Sequence, residues 1–257
     1  MTLPAPVFLE TAPPLTGGCR TLHLPAKADG PCLTLWINTP EADRPAQGWP
    51  AMILLDAEAY FTAAAEMAQR LARRTAKTRI EPMLIVGVSL TSPDRQATFR
   101  FPHGADPSTA PQGRQLLDRL VHDVLPLLAA EGADRARLTL MGHSMSGLFV
   151  LEARAAAAPF ARYIAISPSI WANPSVINAQ PRGSRSASDL FVVVGAQEET
   201  DNLPPAHLAR RMVSNTLSLQ ENGAVTLNVL ADEDHGSTPY ASLPAALRFA
   251  SQRLAAG

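Results

Sequence analysis

The chain has 257 residues, 46 % of them hydrophobic, with 22 basic and 23 acidic side chains and a net charge of −1. That composition excludes a disordered chain, and without a basic stripe there is no footprint for a nucleic-acid partner. No apolar stretch approaches a membrane span, so no membrane partner is expected, and two cysteines, Cys19 and Cys32, do not make a disulfide framework.

In chain order, residues 1–17 are proline-rich and read as an extended N-terminal arm. The first ten residues carry neither a positive region nor a sustained apolar one, so no signal peptide is expected and the expected compartment is the cytoplasm. Residues 20–25 and 32–39 alternate apolar and polar side chains around the turn signal Ala28-Asp29-Gly30, which predicts an antiparallel hairpin. The continuous apolar runs 51–55 and 82–90 predict buried parallel strands, with an alanine-rich helix over 59–75 between them. Residues 92–112 show no period and read as a long loop, a place where function often resides. A helix is predicted over 113–130, a strand over 137–141, a helix over 145–157 and a strand over 163–167. After a polar crossover, strands at 189–195 and 225–230 alternate with helices at 206–222 and 240–255. Strands alternating with helices behind an opening hairpin predict one α/β domain over 1–257, a mostly parallel eight-stranded sheet with helices on both faces.

The strand over 137–141 runs straight into Gly142-His143-Ser144-Met145-Ser146 and then a helix. Strand, Gly-x-Ser-x-small and helix make a nucleophile elbow, a turn so tight that its flanking residues must be small. It presents one serine hydroxyl above the sheet edge. A free serine is a poor nucleophile, so a base, an orienting acid and an oxyanion site are needed.

Two histidines follow Ser144. His207 falls inside a predicted helix, from which it is not expected to reach the elbow. His235 falls in the loop after the last strand, beside Gly236, and is the expected base. The acid is expected in the turn after the strand over 189–195, where Glu198, Glu199 and Asp201 are all available. Asp232, Glu233 and Asp234 stand too close to His235 to turn back on its ring and read as solvated charges. The oxyanion site calls for two backbone amides: Met145, after the nucleophile, and one from Asp56-Ala57-Glu58. The six histidines lack zinc-ligand spacing, and no phosphate loop or dinucleotide fingerprint occurs, so neither a metal nor a cofactor is expected.

Four segments resemble the putative-esterase branch of the α/β-hydrolases, which includes siderophore esterases of the enterochelin-esterase type. They are Leu54-Leu55-Asp56-Ala57-Glu58-Ala59-Tyr60-Phe61, Gly142–Phe149, Ser167-Pro168-Ser169-Ile170-Trp171 and Asp234-His235-Gly236-Ser237. The resemblance spans most of residues 18–255 and implies an α/β-hydrolase fold. It further implies a serine esterase working through an acyl-enzyme, with Ser144 as nucleophile and His235 as base. Gly195-Ala196-Gln197-Glu198 is similar to the family's Gly-x-x-Glu, which favours Glu198 as the acid, and the second oxyanion amide falls on Glu58. The implied substrate is a small-molecule ester. A siderophore trilactone, with its iron when loaded, is the leading class, and Arg95, Arg100 and Trp171 are candidates to contact it. The alternatives are a general carboxylesterase and a hydrolase-fold protein that only binds a ligand. The chain departs from the family pattern at Ala57 and Ser146, where glycine is usual. It also lacks the family's Arg-x-x-Asp-Tyr-Thr-Pro segment in the loop over 92–111.

Overall fold

The computed structural model describes residues 19–27, 30–91, 94–102, 112–181, 189–221 and 225–252. The arm expected over 1–17 lies outside them, as do His103 and most of the loop around it. The strands are β1 (Cys19–Leu24), β2 (Cys32–Asn38), β3 (Trp49–Leu55), β4 (Leu84–Thr91), β5 (Ala133–His143), β6 (Arg162–Ile166), β7 (Leu190–Gly195) and β8 (Thr226–Leu230). Between β3 and β5 lie α1 (Ala57–Ala72), α2 (Thr75–Thr78), α3 (Arg95–Phe99), α4 (Gly113–Arg119) and α5 (Leu125–Ala130). Beyond β5 come α6 (Met145–Ala155), α7 (Val176–Ala179), α8 (Pro205–Leu208), α9 (Met212–Glu221) and α10 (Thr238–Ser251).

One eight-stranded sheet runs in the order β1-β2-β4-β3-β5-β6-β7-β8. β1 and β2 pair antiparallel, β2 joins β4 antiparallel, and every other pairing is parallel. The apolar runs are continuous because the inner strands are covered on both faces. Successive side chains on a strand point to opposite faces. In β3, accordingly, Ala51, Ile53 and Leu55 enter one core with α4 and α6, while Met52 and Leu54 enter the other with α1 and α10. This is the three-layer α/β arrangement that the strand–helix alternation predicts. No helix among the described residues is long and apolar enough to cross a membrane.

Three elements differ from expectation. The helix over 113–130 is unbroken but not regular: Leu120–Val124 forms a π turn ahead of Pro126. Proline has no N–H to donate to the carbonyl four residues back, so the regular ladder breaks there. The helix over 206–222 is two pieces, α8 and α9, because Arg211 adopts a left-handed φ of 48°. The loop over 92–112 contains α3, whose first turn is capped by Asp94 Oδ1 accepting the Ala97 N–H at 3.0 Å.

Every parallel strand ends on the same side of the sheet, so the loops after β3, β5, β6, β7 and β8 converge there. In open α/β sheets this edge is where ligands bind.

Candidate active site

The site is built from the turn that ends β5. Ser144 has φ 60° and ψ −116°, a backbone conformation that side chains other than glycine rarely adopt. The backbone around it is pinned to hold that strain: its N–H donates to Ile166 C=O at 3.0 Å, and its C=O accepts from Leu148 and Ser169 at 3.0 and 2.9 Å. Gly142 is required because a Cβ there would stand 2.3 Å from the Ser146 carbonyl oxygen. The result is a hydroxyl raised at the N-terminus of α6.

His235 reaches that hydroxyl from the loop after β8. Its Nε2 lies 3.0 Å from Ser144 Oγ, and its Nδ1 lies 2.6 Å from Glu198 Oε2. The carboxylate favours one tautomer: Nδ1–H donates to Glu198, which leaves the Nε2 lone pair facing Ser144 Oγ. The other carboxylate oxygen, Oε1, accepts Ser167 Oγ–H at 2.5 Å and Gly195 N–H at 2.8 Å. Burial alone would raise the Glu198 pKa. The hydrogen bonds from His235, Ser167 and Gly195 outweigh it and hold the carboxyl below its ordinary value. Glu198 is 5 % exposed, so an ionised group is kept there only because its lone pairs are filled.

The turn after β7 separates the three candidate acids. Ala196–Glu198 is one turn of 3-10 helix that brings Glu198 under the histidine. Glu199 points elsewhere and accepts Ser214 N–H and Oγ–H at 2.7 and 2.5 Å, at the start of α9. Asp201 is exposed. Gly195 allows the close approach of the histidine loop, since a Cβ there would stand 2.2 Å from the Glu233 carbonyl oxygen. Asp234 is more than the solvated charge expected from the sequence. Its Oδ1 accepts Gly236 N–H and Ser237 N–H at 2.8 and 2.9 Å, which folds the histidine loop and holds its own carboxyl below the usual range.

Two helix N-termini flank the serine. Met145 opens α6, and Ala57 and Glu58 open α1. The first N–H groups of a helix have no partner within it, and its dipole favours negative charge at that end. The Glu58 side chain turns aside to accept from Ser89 Oγ. Sequence reasoning missed Ser169, whose Oγ lies 3.2 Å from Ser144 Oγ, and Tyr60, whose hydroxyl lies 2.7 Å from His143 Nδ1. Both lie in the segments that carry the family resemblance. Burial, with Tyr240 beside it, pushes the Tyr60 hydroxyl up to about 12, so it stays protonated. The His143 ring in turn packs on His235, centroids 4.6 Å apart.

Beside His235 opens a pocket of about 310 Å³ lined by Ser169, Trp171, Leu203, His207, Arg210 and Met212, with Glu198, Asp234 and His235 at its wall. Trp171 is therefore brought to the site. Arg100 is not among the lining residues: it is half-buried, with its backbone bonded to Gln96 and Gly113. The side chain of Arg95 lies outside the described residues. The guanidinium in the pocket is that of Arg210, stacked 5.3 Å above the Trp171 ring. His207 does sit on a helix, α8, and lines this pocket rather than meeting Ser144.

The family model for putative esterases matches residues 32–228. The ferri-bacillibactin esterase BesA of Bacillus subtilis (strain 168) is 26 % identical over 241 residues, covering 84 % of this chain and 83 % of that protein. Among solved structures, the BES protein from Bacillus cereus has a TM-score of 0.77 at 23 % identity, over 95 % of this chain and 99 % of that one. The siderophore hydrolase EstB from Aspergillus nidulans has a TM-score of 0.75 at 21 % identity, over 93 % and 97 %. The likeness to these structures shows a shared fold.

Proposed function

Since the chain belongs to the putative-esterase family, we propose that it is a serine carboxylic-ester hydrolase and that a siderophore lactone is its substrate class. The observation that carries this reading is the unbroken hydrogen-bond chain from Glu198 through His235 to Ser144, with links of 2.6 and 3.0 Å. Ser144 Oγ attacks the ester carbonyl carbon as His235 Nε2 takes its proton. The carbonyl electrons move to oxygen, and the Met145 and Glu58 N–H groups receive that charge. Each such donor typically contributes about 2.7–4 kcal/mol in the transition state. Collapse breaks the bond to the alcohol, which leaves with the proton from His235 and gives an acyl-enzyme. Water then attacks the acyl carbon through the same base, releasing the acid and restoring Ser144. Glu198 stays ionised throughout and stabilises the imidazolium.

Three observations favour a siderophore over a simple ester. The name of the Bacillus subtilis relative places its activity on ferri-bacillibactin. The pocket beside His235 offers Trp171 for an aromatic arm and Arg210 for a negative charge. Its volume, about 310 Å³, suits one arm of a large ligand, with the remainder outside. In this reading Arg210 supplies a positive charge in addition to the sequence candidates Arg95 and Arg100.

The test compares wild type with Ser144→Ala on p-nitrophenyl butyrate and on catecholate trilactones, with and without ferric iron. Wild type is expected to hydrolyse both classes, and the variant to lose turnover by a factor on the order of 10⁶. Turnover of the aryl ester alone would overturn the siderophore assignment and leave the esterase. Activity retained by Ser144→Ala would overturn the assignment of the site.

A further inference from the structure

Ser146 stands where the family has glycine, and a small residue suffices for the turn. The structure gives its hydroxyl a second use. Ser146 is fully buried, and its Oγ accepts the His143 N–H at 2.8 Å and lies 2.5 Å from Asp56 Oδ2. The hydroxyl proton has two acceptors in reach, Asp56 Oδ2 and the His143 carbonyl at 2.9 Å, and the shorter contact, to the carboxylate, is the charge-assisted one. Asp56 is itself in the left-handed region, φ 59° and ψ 49°, and α1 begins at the next residue. Its carbonyl accepts the Ala59 N–H at 3.1 Å, and its side chain does not cap α1. The carboxylate reaches the other helix: the bond joins residues 90 apart in the chain, one at the start of α1 and the other in the first turn of α6. Those are the two helix ends whose amides are assigned above to the oxyanion.

Resting on that assignment, we propose that Ser146 and Asp56 form a strut that sets the spacing between the Met145 and Glu58 amides, and that both are positioning residues for the oxyanion. Neither touches the ester. Two amides on separate helices converge on one oxygen only if the helices are fixed relative to each other, and this bond ties them directly. Misplacement of a positioned group by about 1 Å can cost 10²-fold in rate.

Ser146→Ala and Ser146→Gly both fit the turn and both remove the strut. Each is expected to lower kcat on p-nitrophenyl butyrate by a factor on the order of 10², with KM unchanged, at a temperature where circular dichroism shows full folding. Asp56→Ala is expected to match them, and Asp56→Ala with Ser146→Ala to lose no more than either alone, as partners in one contact do. Asp56→Asn keeps an acceptor oxygen and tolerates the left-handed backbone, so it is expected to recover most of the rate. A kcat within twofold of wild type in both Ser146 variants would overturn the strut, as would full additivity in the double variant. If Ser144→Ala retained turnover, the assignment of the site would fall and the strut with it. Turnover lost in Ser144→Ala but unchanged in the Ser146 variants would overturn the strut alone.

Discussion

A buried carboxylate stands at each end of β7, and the two differ in their partners. At the amino end, Asp189 pairs with Arg154, whose Nη2 lies 2.8 Å away, and Gln180 accepts from the same guanidinium at 2.9 Å. Both charged side chains are nearly sealed, at 2 % and 7 % exposure. At the carboxyl end, Glu198 is as well buried, but its partner His235 keeps 43 % of its side chain exposed and reaches Ser144. An arginine holds its charge at any working pH and has nothing further to give. A histidine can take up and return a proton. One end of the strand therefore holds the fold together, and the other end is equipped to move a proton.

The comparison breaks most sharply at His235. His235→Ala is expected to lower kcat on p-nitrophenyl esters by a factor on the order of 10⁶, as loss of a triad base does, at a temperature where circular dichroism shows full folding. A loss below tenfold would show that the proton goes elsewhere.

The two carboxylates should then separate activity from stability. Glu198→Gln is expected to lower kcat by a factor of about 10⁴, since the imidazole loses the partner that fixes its tautomer. Asp189→Asn leaves Arg154 buried beside a neutral group, an arrangement that costs about 3–5 kcal/mol, and is expected to lower the thermal midpoint with kcat unchanged in the folded range. Acid should reveal the same contrast. The Glu198 pKa is lowered in the fold, so its stabilising contribution is complete above the ordinary carboxylate range and fades as pH falls through the lowered value. Glu198→Gln should lack that part of the acid limb in a plot of thermal midpoint against pH. An identical limb in both proteins would contradict the assigned bonds.

The smallest effect lies in the pocket. Trp171→Ala and Arg210→Ala are expected to raise KM for esters of anionic aromatic acids about tenfold, with kcat on p-nitrophenyl acetate unchanged. That matches the ~0.5–2 kcal/mol of a cation–π pair and the contacts it organises. Equal effects on both esters would place the pocket outside substrate recognition.

What the sequence reveals follows the range of the interactions. The elbow and the histidine loop are local: Gly142, Ser144 and Gly236 declare a turn within a few residues. The parallel strands are legible because burial on both faces leaves continuous apolar runs such as 51–55. The carboxylate that meets His235 is legible only to within a turn, because Glu198 and Glu199 are adjacent and a 3-10 turn sends their carboxylates to different partners. Ser146 reads as a small residue because its partner, Asp56, lies 90 positions away. Arg210 goes unnoticed because nothing local to α8 shows that it will stack on Trp171. The break between α8 and α9 depends on the backbone of one residue, Arg211, that no hydrophobic period records.

The central claim is that Ser144 is the nucleophile and becomes acylated. It is tested most directly by treating the folded protein with a fluorophosphonate and with a slowly released p-nitrophenyl ester, then locating the adduct by intact mass and peptide mapping. The account predicts one adduct per chain, on Ser144, absent from Ser144→Ala and slowed in His235→Ala. No adduct in the wild type, or an adduct on another residue, would contradict it.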